Sequence, residues 1–338
     1  MKRKFLTLLL FSTLMICGAS AQSKAKTFAD RITIKGYGQA GYSAKFEDKI
    51  GNSNSFNINK VEVLALGKIN HRWDMGITFQ LHGKPMLKDL FTRFTLAPEL
   101  SIRVGQFKTP LGLENNLAPF MNSLINGGSY TTTYFAGVAG NPHYFGTSGR
   151  DMGLEISGDL LNKLLSYKAV VMNGTGMNNL SHVNPKMFGG SLHIRPLKML
   201  TLHTSYIGGK LPSMSQATTL ERHRASAGFQ LDCREVSVMG EYMWGKDGEQ
   251  TGRGAYLTSA IHLPKRWDLV LGADYVNANL DLPEAKDVFT ATLGVTQWFY
   301  GLCRWQVEYQ FRAPRNEATL LDIRSQGHKV AAQLQFVF

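Results

Sequence analysis

Apolar and polar side chains alternate with a period of two along most of the chain. Trp305, Val307, Tyr309 and Phe311 interleave with Arg304, Gln306, Glu308, Gln310 and Arg312. Leu269, Leu271, Ala273 and Tyr275 alternate with Asp268, Gly272 and Asp274, and Phe289, Ala291, Leu293 and Val295 with Thr290, Thr292, Gly294 and Thr296. Trp73, Met75, Ile77, Phe79 and Leu81 do the same around Asp74, Gly76, Thr78 and Gln80. After the first 21 residues no segment holds helical spacing for three turns, so the period is that of strands with one apolar face. A soluble sandwich of so many strands, each of about ten residues, would leave long edges to protect. Closing the sheet removes the edges, and about 9–11 tilted residues suffice to cross a bilayer. The predicted fold class is all-β, a transmembrane antiparallel β-barrel.

The connections alternate in length. Short turns are expected at Asn70–Arg72, Ala97–Glu99, Asn162–Leu164, Pro196–Lys198, Asp232–Glu235, Pro264–Arg266 and Tyr300–Leu302. Long loops are expected at 44–55, 82–87, 108–150, 173–186, 208–222, 245–252, 278–287 and 313–323. Seven turns and eight loops join sixteen strands, with short periplasmic turns, longer outer loops and a long third extracellular loop. All eleven prolines fall in these connections, as expected of a residue that cannot donate to a sheet ladder. Trp73, Trp267, Trp298 and Trp305 lie beside short turns and Trp244 beside a long loop, where amphipathic rings suit the edges of an apolar band. Val330, Ala332, Leu334, Phe336 and Phe338 share the face of a last strand that stops on an aromatic. Leu334, Phe336 and Phe338 thus resemble the signal read by the outer-membrane barrel assembly machinery.

The N-terminus reads as a secretory signal peptide over residues 1–21. Lys2, Arg3 and Lys4 precede an apolar stretch from Phe5 to Cys17, and Ala19-Ser20-Ala21 is an A-x-A cleavage site before Gln22. The expected organisation is therefore a signal peptide, 1–21, and one barrel domain, 22–338. Removing three cations lowers the formal charge from +12 to +9. That balance is compatible with an anion path and, with a barrel, does not require nucleic acid. Cys233 and Cys303 remain, without metal-ligand spacing, and are expected to be unpaired. Gly36-Tyr37-Gly38-Gln39-Ala40-Gly41 matches a dinucleotide fingerprint, but no helix pattern follows it, so its glycines suit a thin strand surface instead. The nine histidines lack metal spacing and no nucleophile set is present. Neither an enzyme nor a cofactor or metal site is expected.

Gly105-Gln106-Phe107-Lys108-Thr109-Pro110-Leu111-Gly112, Arg150-Asp151-Met152-Gly153-Leu154 and Val171-Met172-Asn173-Gly174-Thr175-Gly176-Met177-Asn178 occur in the order, and at the places, where similar segments stand in the phosphate-selective porin O/P family. The resemblance runs over most of the chain after the signal peptide. It implies a sixteen-stranded porin, commonly a homotrimer, that passes small anions or other small solutes through the outer membrane of a Gram-negative bacterium, in contact with lipid and lipopolysaccharide.

Opposite the lipid face, the alternation places Lys35, Arg93, Arg103, Lys168, Arg195, Arg224, Arg304, Arg312 and Lys329 in the lumen. It places Asp74, Asp89, Asp151, Glu155, Asp159, Glu241, Asp268, Asp274 and Glu308 there too. Nine against nine is balanced, which argues against a strongly cationic pore. The third outer loop alters the local balance, with Glu114 as its one acid against Lys108 and Arg150. A loop folded into a wide barrel narrows it, and charge counts most where water is scarce. Arg93, Arg103, Lys108, Glu114 and Arg150 are the candidate constriction residues, with a wall salt-bridge lattice as the other role open to the two arginines of the wall. Tyr130, Tyr134, Phe135, Tyr144 and Phe145 are expected to pack the loop against the wall. The expected function is passive diffusion of small hydrophilic solutes with weak to moderate anion preference. The alternatives are a plugged barrel serving as adhesin or anchor, and an outer-membrane hydrolase, which the missing nucleophile set disfavours.

Overall fold

In the computed structural model, the alternating segments pair into one closed antiparallel sheet of sixteen strands. The structure describes residues 28–47, 51–125, 128–137, 149–181, 184–212, 219–281, 287–314 and 327–338. The expected signal peptide, Gln22, Tyr144 and Phe145 lie outside the described residues.

A short helix, α1 (Phe28–Arg31), leads into β1 (Ile32–Glu47), followed by β2 (Gly51–Lys68), β3 (Trp73–Gln80), β4 (Met86–Ala97) and β5 (Leu100–Lys108). The long loop then leads to β6 (Arg150–Leu160), β7 (Leu165–Met172), β8 (Met187–Leu197), β9 (Leu200–Pro212) and β10 (Thr219–Asp232). The chain closes through β11 (Val236–Asp247), β12 (Gln250–Leu263), β13 (Trp267–Asn277), β14 (Asp287–Tyr300), β15 (Cys303–Pro314) and β16 (Gly327–Val337). Each strand pairs with its chain neighbours, and β1 pairs with β16 from Tyr37↔Val337 to Glu47↔Gly327.

Burial is inverted relative to a soluble protein. Gln335 is fully buried while its neighbour Phe336 is 49% exposed. Arg304 and Gln306 are buried, whereas Val307 and Tyr309 are exposed. An outward apolar band with a polar interior is the arrangement a bilayer selects. No described helix is long and apolar enough to cross a membrane, and the strands do the crossing.

The seven short turns stand where the alternation breaks, except that the turn after β8 is Lys198–Met199 and Pro196 belongs to the strand. Pro212 and Pro314 likewise end β9 and β15, so three prolines expected in connections lie in strands. Each sits at a strand end or beside a break in register, where the missing N–H costs little. Three outer loops are shorter than expected, with β9 and β10 leaving 213–218 where 208–222 was expected. β1 and β2 are 16 and 18 residues long and leave only 48–50 between them, and β11 and β12 leave only Gly248 and Glu249. Asn52-Ser53-Asn54-Ser55 lacks alternation yet pairs with β1. Strand tips that rise past the bilayer have no apolar face to declare, so hydropathy hides them while the backbone ladder continues.

Cys233 and Cys303 are not bonded to each other. The glycine-rich stretch of β1 serves the barrel seam. Phe338 and Gly36 exchange both backbone hydrogen bonds at 3.0 Å. Side chains at Gly36 and Gly38 would begin 2.4 Å from the rings of Phe338 and Phe336, so the two glycines make room for the terminal aromatics.

Candidate functional site

The neck of the long loop is closed by Thr109, whose N–H donates to the Gly149 carbonyl at 2.9 Å. Gly112, at φ 79°, then turns the chain into the barrel. A Cβ at Gly112 would lie 2.6 Å from Met243, so the backbone runs against β11. Two short helices follow, α2 (Leu113–Asn116) and α3 (Tyr130–Phe135). Ser129 caps α3 by accepting from the Thr132 N–H at 3.0 Å, which is the usual satisfaction of a first-turn donor.

Wall carboxylates fasten this loop by accepting its backbone N–H groups. Glu241 of β11 accepts from Leu113 at 3.0 and 3.1 Å. Glu308 of β15 accepts from Ile125 at 2.6 Å. Asp274 of β13 accepts from the Tyr130 N–H and the Thr131 hydroxyl, both at 2.6 Å. Wall donors complete the set. Arg304 donates to the Asn122 carbonyl at 2.6 Å, Gln306 to that of Ser123 at 2.8 Å, and Gln335 to that of Phe120 at 3.2 Å. Tyr134 and Phe135 join an inward apolar cluster that includes Met172, Met187, Leu211, Met243 and Val276, and Tyr130 packs against it. Burial pushes the Tyr134 hydroxyl above the usual phenol range, and it donates to the Ala278 carbonyl at 3.4 Å. The loop therefore leans on the β9–β16 side of the barrel.

The opposite side keeps a cavity of about 670 Å³ between the loop and strands β1–β7. It extends from Lys108 and Arg150, at the outer ends of β5 and β6, to Lys35 and Phe338 at the other end of the barrel. Five cations line it, namely Lys35, Arg103, Lys108, Arg150 and Lys168, against two acids, Glu62 and Asp89.

Three of the five sequence-derived constriction residues meet there: Arg103, Lys108 and Arg150. Arg103 donates to Glu155 at 2.6 Å, with its guanidinium 4.0 Å from the Phe107 ring centre and 5.2 Å from that of Phe91. Arg150 pairs with Asp89 at 2.7 Å. Lys108 donates to the carbonyls of Asn115 at 2.7 Å and Leu117 at 2.5 Å, so it ties the loop as well as charging the cavity. Arg93, the register partner of Arg103, does not line the cavity and pairs instead with Asp74 at 3.0 Å on the β3–β4 wall. Glu114 is buried inside the loop, accepting from the Ser129 N–H and hydroxyl at 2.8 and 2.7 Å.

The balance of nine against nine does not describe the lumen, because the charges have separate employments. Glu241, Asp274 and Glu308 hold the loop, and Asp268 is taken by His262 and the Trp298 indole at 2.8 and 2.7 Å. Lys35 and Lys168 make no ion pair within 4.0 Å among the described residues, though the charge of Glu155 reaches Lys168. The alternation also missed the buried pair Lys88–Glu62, at 2.5 Å. A β-bulge opposite Thr78 and Phe79 makes Lys88 an extra residue of β4, so Lys88 and its neighbour Asp89 both reach lumen partners. No residue-by-residue period reports a bulge.

Among the described residues no group of His, Cys, Asp or Glu could hold a metal ion. No protein-family model matches the chain, and no curated protein does. Solved structures do. An anion-selective porin from Comamonas acidovorans has a TM-score of 0.72 at 10% identity, over 91% of this chain and 99% of that one. OprB of Pseudomonas putida, in its high-pH structure, has a TM-score of 0.69 at 8% identity, over 92% and 95%. Salmonella typhi OmpF in complex with daunomycin has a TM-score of 0.65 at 11% identity, over 90% and 97%. With sixteen closed strands and a long loop folded inside them, this chain has the fold of the outer-membrane porins.

Proposed function

We propose that the chain is exported by its N-terminal signal peptide to the outer membrane of a Gram-negative bacterium. There it forms a channel for passive diffusion of small hydrophilic solutes, preferring anions. The observation that carries the preference is the lumen cavity beside the loop, lined by five cations and two acids. Opposite-sign ions concentrate in such a cleft, the more so where low-dielectric walls focus the field. The segments that resemble the phosphate-selective porin O/P family run along this site, since Gly105–Gly112 and Arg150–Leu154 carry Phe107, Lys108 and Arg150. Phosphate is accordingly one of the anions to try. A homotrimer embedded in lipid and lipopolysaccharide, delivered by the barrel assembly machinery, is the assembly this reading implies.

Reversal potential in a potassium chloride gradient across a planar bilayer tests it. The protein should conduct and favour chloride at low salt. The preference should weaken at high salt, because the Debye length falls to about 3 Å at 1 M. Replacing Lys35, Arg103 and Lys168 by glutamine should move the reversal potential toward cations, as polar lumen positions tolerate exchange. A folded barrel without conductance would establish the plugged adhesin or anchor instead.

A further inference from the structure

A water-filled lumen is expected to be polar, yet part of this one is not. Across five strands at one level, the pairing runs Leu66↔Gly76 from β2 to β3, Gly76↔Phe91 to β4, Phe91↔Gly105 to β5 and Gly105↔Gly153 to β6. A Cβ at Gly76 would stand 2.6 Å from the Phe91 ring and 3.3 Å from Leu66. Leu66 and Phe91 therefore close over Gly76 as a thin apolar shelf. Leu64 extends it toward Lys35, its register partner on β1. From the loop, Phe120 also lines the cavity, its ring 5.2 Å from that of Tyr37. Leu64, Leu66 and Phe91 keep partly exposed surface, so the loop does not cover the shelf.

Charge borders the shelf on both sides. The next level carries Asp74, Arg93, Arg103 and Glu155 in register, and the level on the other side carries Thr78 and Asp89, with Arg150 on the latter. Arg103 leaves its Nε without a partner among the described residues, and Lys35 and Lys168 add ammonium groups that make no close ion pair there.

Resting on the channel reading above, we propose that this cavity takes organic anions with an apolar body, carboxylates on an aromatic or hydrocarbon stem, in preference to inorganic anions and neutral sugars. The carboxylate is held by Arg103 and Lys168 on β5 and β7, with Lys35 on β1 adding positive charge across the shelf, and the stem lies on Leu64, Leu66 and Phe91. A bare hydrated anion gains nothing from the shelf, and a sugar gains nothing from the cations. The cavity volume is in the range of ordinary small-molecule sites.

The test is inhibition of chloride current through the refolded barrel in a planar bilayer by benzoate, hexanoate, acetate and phosphate, with benzyl alcohol as the neutral arm. Benzoate and hexanoate should half-block at concentrations about tenfold below acetate, from the apolar area their stems bury. Phosphate should follow acetate, and benzyl alcohol should not block. The double variant Leu66→Ser/Phe91→Ser should lose the benzoate advantage and keep the acetate response, whereas Lys35→Gln/Lys168→Gln should weaken every anion. Equal block by benzoate and acetate in a conducting channel, or benzoate block unchanged in the double serine variant, overturns the proposal and leaves the channel reading standing. Absence of any current overturns the channel reading instead. In that event calorimetric titration of the detergent-solubilised barrel with benzoate and acetate still decides the site: benzoate heats that match those of the double serine variant refute it.

Discussion

Phe338 carries more of the barrel than its terminal position suggests. Its backbone closes the end of the β1–β16 seam with Gly36, and its ring lies where a Gly36 side chain would be. Deleting it removes the reciprocal backbone pair and one aromatic contact at once, as well as the last element of the proposed assembly signal. The yield of heat-modifiable folded barrel, read as the gel shift between boiled and unboiled samples, should fall severalfold. Gly36→Leu should lower it too, because a side chain there competes with the ring for the same space, and overpacking of this kind costs about 1–3 kcal/mol. Full yield from both variants would remove the seam argument. At this scale the alternation identified Leu334, Phe336 and Phe338 as one outward face, and no pattern within β16 could say that two glycines some 300 positions earlier receive the rings. The wall acids show the same limit. Glu155 and Asp274 look alike in their strands, one pairing with Arg103 and the other fastening the loop.

The long loop is the element on which permeation depends. Three carboxylates hold its backbone, and each bond is made where water is scarce, so a buried N–H left without its acceptor costs about 1–3 kcal/mol. Asp274→Ala combined with Glu308→Ala releases the loop at Ile125 and at the start of α3, while the loop neck at Thr109–Gly149 and the Glu241 contact remain. Single-channel recordings should show larger and noisier conductance, with unchanged heat-modifiability. Unchanged conductance would mean that the apolar cluster around Tyr134 and Phe135 holds the loop without them. The length of the loop and its place after the fifth strand were legible in the sequence, as was the packing of Tyr134 and Phe135 on the wall. The side it leans toward was not. That depends on Glu241, Asp274 and Glu308 facing the loop together, which requires β11, β13 and β15 to be curved round by barrel closure.

Over the whole molecule, strand count fixes which connections share a side. Gly248–Glu249 lies at one end, and Pro264–Arg266 and Gly301–Leu302 at the other. A small epitope tag inserted between Gly248 and Glu249 should label on intact cells, and one at Lys265 should label only after the outer membrane is opened. Labelling at Lys265 on intact cells would reverse the orientation assigned to the barrel.

The sequence by itself determined the strands, their number and their inward and outward faces, because a period of two is a local property and bilayer-facing strands must declare an apolar side. It also located the tight turns, within a residue or two, wherever the alternation stopped. Tertiary structure alone decided the lengths of the strand tips above the bilayer, the inward turn of Lys88 at a bulge, the pairing of Arg93 with Asp74 outside the cavity that Arg103, Lys108 and Arg150 line, and the apolar shelf around Phe91. Each of these depends on register between strands or on the path of the loop across the lumen. Register is set by the closing of the whole sheet, and a side chain's neighbours across it are remote in the chain.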